Sequence, residues 1–171
     1  MRNHFMMMAD YNSWANRLVY EAASALSDDE FRENKGAFFG SLCGTLNHLL
    51  ATDRIWMRRF TGTGEAPNRL DAVLHEDFAA LAAARRAEDI RIIDWVSGLI
   101  EEDLRGTITY TPVSNPTPVS QKLSPALAHL FNHQTHHRGQ CHMILTSLGK
   151  PSLSLDLAFF QRTPEGRRHA A

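Results

Sequence analysis

An all-α fold, a four-helix bundle with one long crossover connection, is predicted from three observations. Apolar residues recur at helical spacing along four long segments. A proline-rich stretch of β-formers separates the last two. Hydrophobic residues make up 43% of the chain and charged residues 22%, enough apolar surface for a core. With 171 residues, the chain is expected to form one domain, residues 1–171.

The first helix is expected over residues 2–26, with Phe5, Met8, Trp14, Leu18 and Ala22 along its apolar side. Met6, Met7 and Met8 in succession point in more directions than one core face needs, which suggests a contact surface. Ser27 and Glu30 have the spacing of a capping box opening a short turn. The second helix is expected over residues 36–61, stopped by Thr61-Gly62-Thr63-Gly64 and Pro67. The third covers residues 70–104, with Val73, Phe78, Leu81, Ile92, Ile93, Val96 and Ile100 on its buried side. Its run from Ala82 to Arg86 and the pair Glu101-Glu102 read as solvated faces. In residues 106–122, Thr107 to Thr111 favour strand while Pro112, Pro116 and Pro118 forbid helix; the stretch reads as an extended crossover with room for a short hairpin. The fourth helix opens at Ser124-Pro125 and stops at Gly149-Lys150-Pro151. Beyond it, Leu153, Leu155, Leu157, Phe159 and Phe160 can pack back onto the bundle.

Composition narrows the function. Lys and Arg number 18 against 19 Asp and Glu, so no basic field directs the chain to nucleic acid. Cys43 and Cys141 lie far apart in apolar surroundings, which suits a reducing compartment. The apolar patch from Phe5 to Met8 is too short for a signal-peptide core, and the uncharged residues 36–52 are too polar to span a bilayer. A cytoplasmic protein without a membrane or nucleic-acid partner is expected.

Histidine stands out, with 9 copies crowded towards the fourth helix. At about 100° per residue, His137 falls about 20° and His133 about 60° from Leu130 on the apolar stripe. His129, His136 and His142 lie at about 100–120° and read as border or surface residues. His133 and His137 therefore project inward one turn apart, the spacing with which a helix chelates a divalent ion. A third ligand must come from elsewhere. His48 is the candidate, although its neighbours Ser41, Thr45 and Thr52 suit a cavity or water equally well. Cys141 is an alternative soft ligand that reads more readily as a packing residue. Asn47, Asp53, Gln134 and Gln140 are candidate acceptors for the ligands' free N–H groups, and Asp53 is also a candidate general base.

Tyr11-Asn12-Ser13-Trp14-Ala15-Asn16 in the first segment carries part of a resemblance. Phe38-Phe39-Gly40-Ser41, Thr45 to Leu50 and Asp53-Arg54-Ile55-Trp56 carry more of it. Phe131-Asn132-His133 with Thr135-His136-His137-Arg138-Gly139-Gln140 completes it. Together these resemble the DinB family of bacterial damage-inducible-type metalloproteins, along nearly the whole chain and including Leu155-Asp156-Leu157. The resemblance implies a four-helix bundle, a homodimer, and one divalent metal held by His48, His133 and His137. It makes His136 the outward neighbour in the motif. Zinc or nickel fits such nitrogen ligation best; iron or manganese could add waters.

Three imidazoles leave open positions on an ion, the arrangement of a catalytic rather than a closed structural site. No nucleophile elbow, phosphate loop or paired-cysteine motif competes. Relatives of the resembled fold include thiol-dependent S-transferases and isomerases, which implies a metal-dependent enzyme acting on a small molecule through a low-molecular-weight thiol, with hydrolysis second. The alternative is a non-catalytic metal-binding stress-response protein.

Overall fold

Residues 1–169 are described by the computed structural model, whose core is set by four long helices. Helix α1 (Arg2–Ala23) leads into α2 (Asp28–Arg32). The Ser27–Glu30 capping box opens α2 as expected: Glu30 N–H donates to Ser27 Oγ at 3.2 Å and Ser27 N–H to Glu30 Oε2 at 2.8 Å. Helix α3 (Leu42–Thr61) follows, capped by Ser41 Oγ and ended by Gly62 in the left-handed region. Then come α4 (Phe78–Gly98), α5 (Glu101–Arg105), the antiparallel hairpin of β1 (Thr107–Tyr110) and β2 (Val119–Lys122), α6 (Leu123–Ser147), α7 (Leu157–Phe160) and α8 (Pro164–Arg167). No helix among the described residues is long and apolar enough to cross a membrane.

Two expected helices are shorter than periodicity suggests. The second begins at Leu42 because Gly36 and Gly40 take φ of 74° and 75°, closing a tight turn in which Ala37 bridges Gly40. The third begins only at Phe78. The residues before it are held out of the helix by Asn47, whose Oδ1 accepts from the N–H groups of Leu74 and His75 while its Nδ2 donates to His75 C=O. Asp77 then caps α4.

The crossover also moves. One end of the core joins Val19 and Tyr20 of α1 to Leu42 and Leu46 of α3, Leu81 of α4, and Ile144 and Leu145 of α6. The other end joins Phe5, Trp56, Met57, Ile92, Val96, Leu127 and Phe131. Helices α1 and α6 therefore run one way and α3 and α4 the other. Two parallel neighbours need a connection that returns along the bundle, and residues 62–77 provide it. The stretch expected to cross over, residues 106–122, instead forms the hairpin and joins α4 to α6 at one end.

Between the two apolar ends lies a buried polar layer fed by all four helices. Arg85 Nη1 donates to Asp53 Oδ2 at 2.7 Å, and its Nη2 pairs with Asp89 Oδ1 at 3.0 Å. Asn16 Nδ2 donates to the same Asp89 oxygen at 2.9 Å, and Arg138 Nη1 donates to Asn12 Oδ1 and Asn16 Oδ1. Burial pushes the Asp89 carboxyl up to about 6 although Arg85 opposes the shift. Arg85 is 2% exposed, so the run Ala82–Arg86, expected to be a solvated face, is solvated only in part, at Ala83 and Arg86. The carboxylate partners on either side make its burial tolerable.

The methionines also find partners at home. Met7 and Met8 pack on the cluster of Tyr11, Ala15 and the fully buried Phe160, and Met6 and Met8 against the Phe5 end of the core. Tyr11 Oη donates to Leu155 C=O at 2.8 Å, tying the tail to α1. Part of the surplus read from three consecutive methionines is thus taken up within the chain, by the tail at Met7 and Met8 and by the Phe5 end of the core at Met6 and Met8.

Candidate metal centre

The bundle aims His48 of α3 at His133 and His137 of α6, resolving the ambiguity of its helix face. His48 is 3% exposed and His137 8%, while His133 is half-buried. His48 Nε2 lies 3.3 Å from His133 Nε2 and 3.2 Å from His137 Nε2. All three ligand atoms lie within 4.8 Å of one another.

The Nε2 atoms of His48 and His137 are not hydrogen-bonded to each other. His48 Nδ1 lies 2.7 Å from Leu70 C=O and His137 Nδ1 2.8 Å from Gln140 Oε1. Both partners are acceptors, so the Nδ1 atoms carry the protons and Nε2 presents a lone pair. Lone pairs that converge at 3.2 Å repel unless a cation lies between them. Two nitrogens on one zinc ion at about 2.0–2.1 Å stand about 3.3 Å apart across a tetrahedral angle. The donor set, its tautomers and its spacing fit a divalent ion.

Of the expected acceptors, only Gln140 is hydrogen-bonded to one of the three histidines. It also donates from Nε2 to the exposed His136 at 3.2 Å, leaving His136 on the outer side as expected. Asn47 is turned to the crossover instead, and Gln134 Nε2 donates to Leu49 C=O at 3.2 Å. Asp53 is fully buried against Arg85 and cannot serve as a general base at the triad. Cys141 is sealed in the core, where burial pushes its thiol up to about 12, so it is not poised to ligate. Replacing Gln140 with alanine is expected to weaken metal affinity about 10–100-fold without altering helix content, as loss of an orienting partner does. Metal-buffer titration followed by circular dichroism checks both halves.

Burial lowers His48 to about 4 and His133 to about 3, and His137 is lowered by burial too. Histidine ligates only when neutral, so depressed values extend the binding range towards acid. Metal content after dialysis at stepped pH should stay near full at about pH 6, below the ordinary histidine value of about 6.5. It should fall as pH approaches the value of about 4 at His48. Release centred on the ordinary histidine value would contradict the burial.

Two contributors have no polar side chain to betray them. Phe39 stacks on His48, ring centroids 3.8 Å apart at 20°, and approaches His137 at 5.6 Å. Gly44 permits this, since a Cβ there would meet Phe39 C=O at 2.2 Å. The other contributor is the Leu70 carbonyl, a backbone group delivered by the crossover. On the far side, His129 lies 5.7 Å from His133 and 5.2 Å from Trp56 between ring centroids. No carboxylate among the described residues is hydrogen-bonded to any of the three histidines.

Fold and site together define a class: a four-helix bundle in which three histidines from two facing helices could hold one metal ion. The sequence matches the DinB family over residues 1–168, and the chain belongs to that family. It is 24% identical over 170 residues to Protein DinB of Bacillus subtilis (strain 168), covering 94% of this chain and 95% of that one. In fold it is similar to the crystal structure of a DinB-like protein from Bacillus cereus ATCC 10987. That likeness has a TM-score of 0.69 and 16% identity, and covers 88% of this chain and 94% of the other.

Proposed function

We propose that the protein is a divalent-metal-dependent enzyme in which His48, His133 and His137 are the ligands and a small thiol is the activated partner. The observation that carries this reading is a triad of neutral nitrogen donors with no carboxylate in contact. A dipositive ion there would keep its full charge in a partly buried setting and would favour an anionic ligand, acidifying a thiol that reaches it. The chain's own contribution is positional: Leu70 and Gln140 fix two imidazole rings with their lone pairs inward, and Phe39 screens one flank from water. Zinc and nickel suit the spacing; iron or manganese would need added oxygen ligands.

Metal-loaded protein screened with a panel of low-molecular-weight thiols and electrophiles tests the reading. Accelerated S-transfer, abolished by chelation and by His48→Ala, is the expected result. Hydrolysis without thiol dependence would replace thiol transfer, and metal binding without turnover would leave an ion that only ties α3 to α6. A reducing cytoplasm fits the two buried free cysteines. The homodimer rests on family membership alone, and sedimentation at high micromolar concentration should show twice the monomer mass.

A further inference from the structure

We infer that Phe38 is a specificity residue of this site: its ring holds the apolar part of a small molecule whose anionic group sits at the histidine triad. The inference rests on the metal reading above and adds the shape of the substrate. Phe38 is 85% exposed at the tip of a turn that is rigidly built. Lys35 N–H donates to Gly40 C=O at 2.9 Å, Gly40 N–H to Ala37 C=O at 2.8 Å and Gly36 N–H to Asn34 Oδ1 at 2.9 Å. The turn is pressed onto the start of α3 at Gly44.

Within this turn the half-buried Phe39 covers His48, and the turn's own hydrogen bonds are made without the Phe38 side chain. Phe38 meets Phe39 edge-on, with centroids 4.9 Å apart and planes at 80°, and leaves its face open. The two rings form a path from solvent to His48. The opposite support of His48, the 62–77 crossover, also exposes apolar side chains, Leu70 at 40% and Val73 at 55%. Three of the ten large apolar residues exposed among the described residues thus lie on the two segments that touch one candidate ligand. The contact running from Phe38 through Phe39 to His48 puts the open face of Phe38 beside the triad, and the uncompensated charge of an ion there selects an anionic head. The fitting ligand is a thiolate, or another small anion, bearing an aromatic or branched apolar group.

The test uses the full chain loaded with cobalt(II) and titrated with benzyl mercaptan and with ethanethiol, read by sulfur-to-cobalt charge-transfer absorption. Wild type should prefer benzyl mercaptan by more than Phe38→Ala does, with a difference of about 10-fold, the size of one aromatic contact. Phe38→Leu should keep part of the preference, and cobalt content should be equal in all three proteins. Equal preference in wild type and Phe38→Ala, with both thiols bound, would overturn the role of Phe38 and leave the metal reading intact. Cobalt that does not load, or that shows no band with either thiol, would overturn both. A change in sedimentation on Phe38→Ala with no change in thiol preference would make the ring a contact between copies and refute the proposal.

Discussion

His137→Ala is expected to strip the protein of most of its metal, while His136→Ala, one residue away, keeps nearly all of it. One helical step turns a side chain by about 100°. That step separates a buried imidazole, with Nε2 3.2 Å from His48 Nε2, from an exposed ring that only receives an N–H from Gln140. Removing a ligand should cost more than the 10–100-fold that follows from losing an orienting partner. Elemental analysis after gel filtration reads the outcome. Helix content should survive in both variants because the core packs without the triad, unlike a zinc finger. Equal loss in the two would mean the helical phase is wrong.

The second large effect is on stability. Arg85→Met leaves Asp53 and Asp89 buried without the guanidinium they share. Stranding one buried charge typically costs about 3–5 kcal/mol, a large part of a total of about 5–15 kcal/mol. The neighbouring Arg86 is exposed, so Arg86→Met should shift stability by no more than about 0.5 kcal/mol. Urea denaturation separates the pair. The sign of the pH dependence follows from the carboxylates. Asp89 is already raised to about 6, and without Arg85 it rises further. The stranded groups therefore take up protons as pH falls, and the gap between Arg85→Met and wild type should narrow towards pH 5. A gap that widens in acid would contradict this.

Much of the candidate site was legible because it obeys helical phase. His133 and His137 lie towards the inner side of α6, and angle alone separates them from His129, His136 and His142. His48 was legible only through resemblance, since its flank of Ser41, Thr45 and Thr52 looks alike whether it lines a cavity or faces water. What supports the rings was hidden for different reasons. The Leu70 acceptor is a carbonyl, and any residue has one. Asn47, Asp53 and Gln134 looked like equivalent polar candidates because sequence does not show which buried polar group meets which. Arg85 and Arg138 were unreadable as core residues, because their burial depends on partners from another helix, Asp53 for Arg85 and Asn12 and Asn16 for Arg138. The crossover was misplaced for a related reason. Residues 70–77 have helical periodicity, but side-chain bonds from Asn47 outcompete it.

We propose that His48, His133 and His137 ligate one ion through their Nε2 atoms. X-ray absorption at the metal edge of the zinc-loaded full chain tests it most directly. The structure predicts three imidazole nitrogens at about 2.0–2.1 Å, the remaining coordination filled by light atoms, and one ion per chain. A sulfur shell near 2.3 Å, or fewer than three imidazoles, would contradict it.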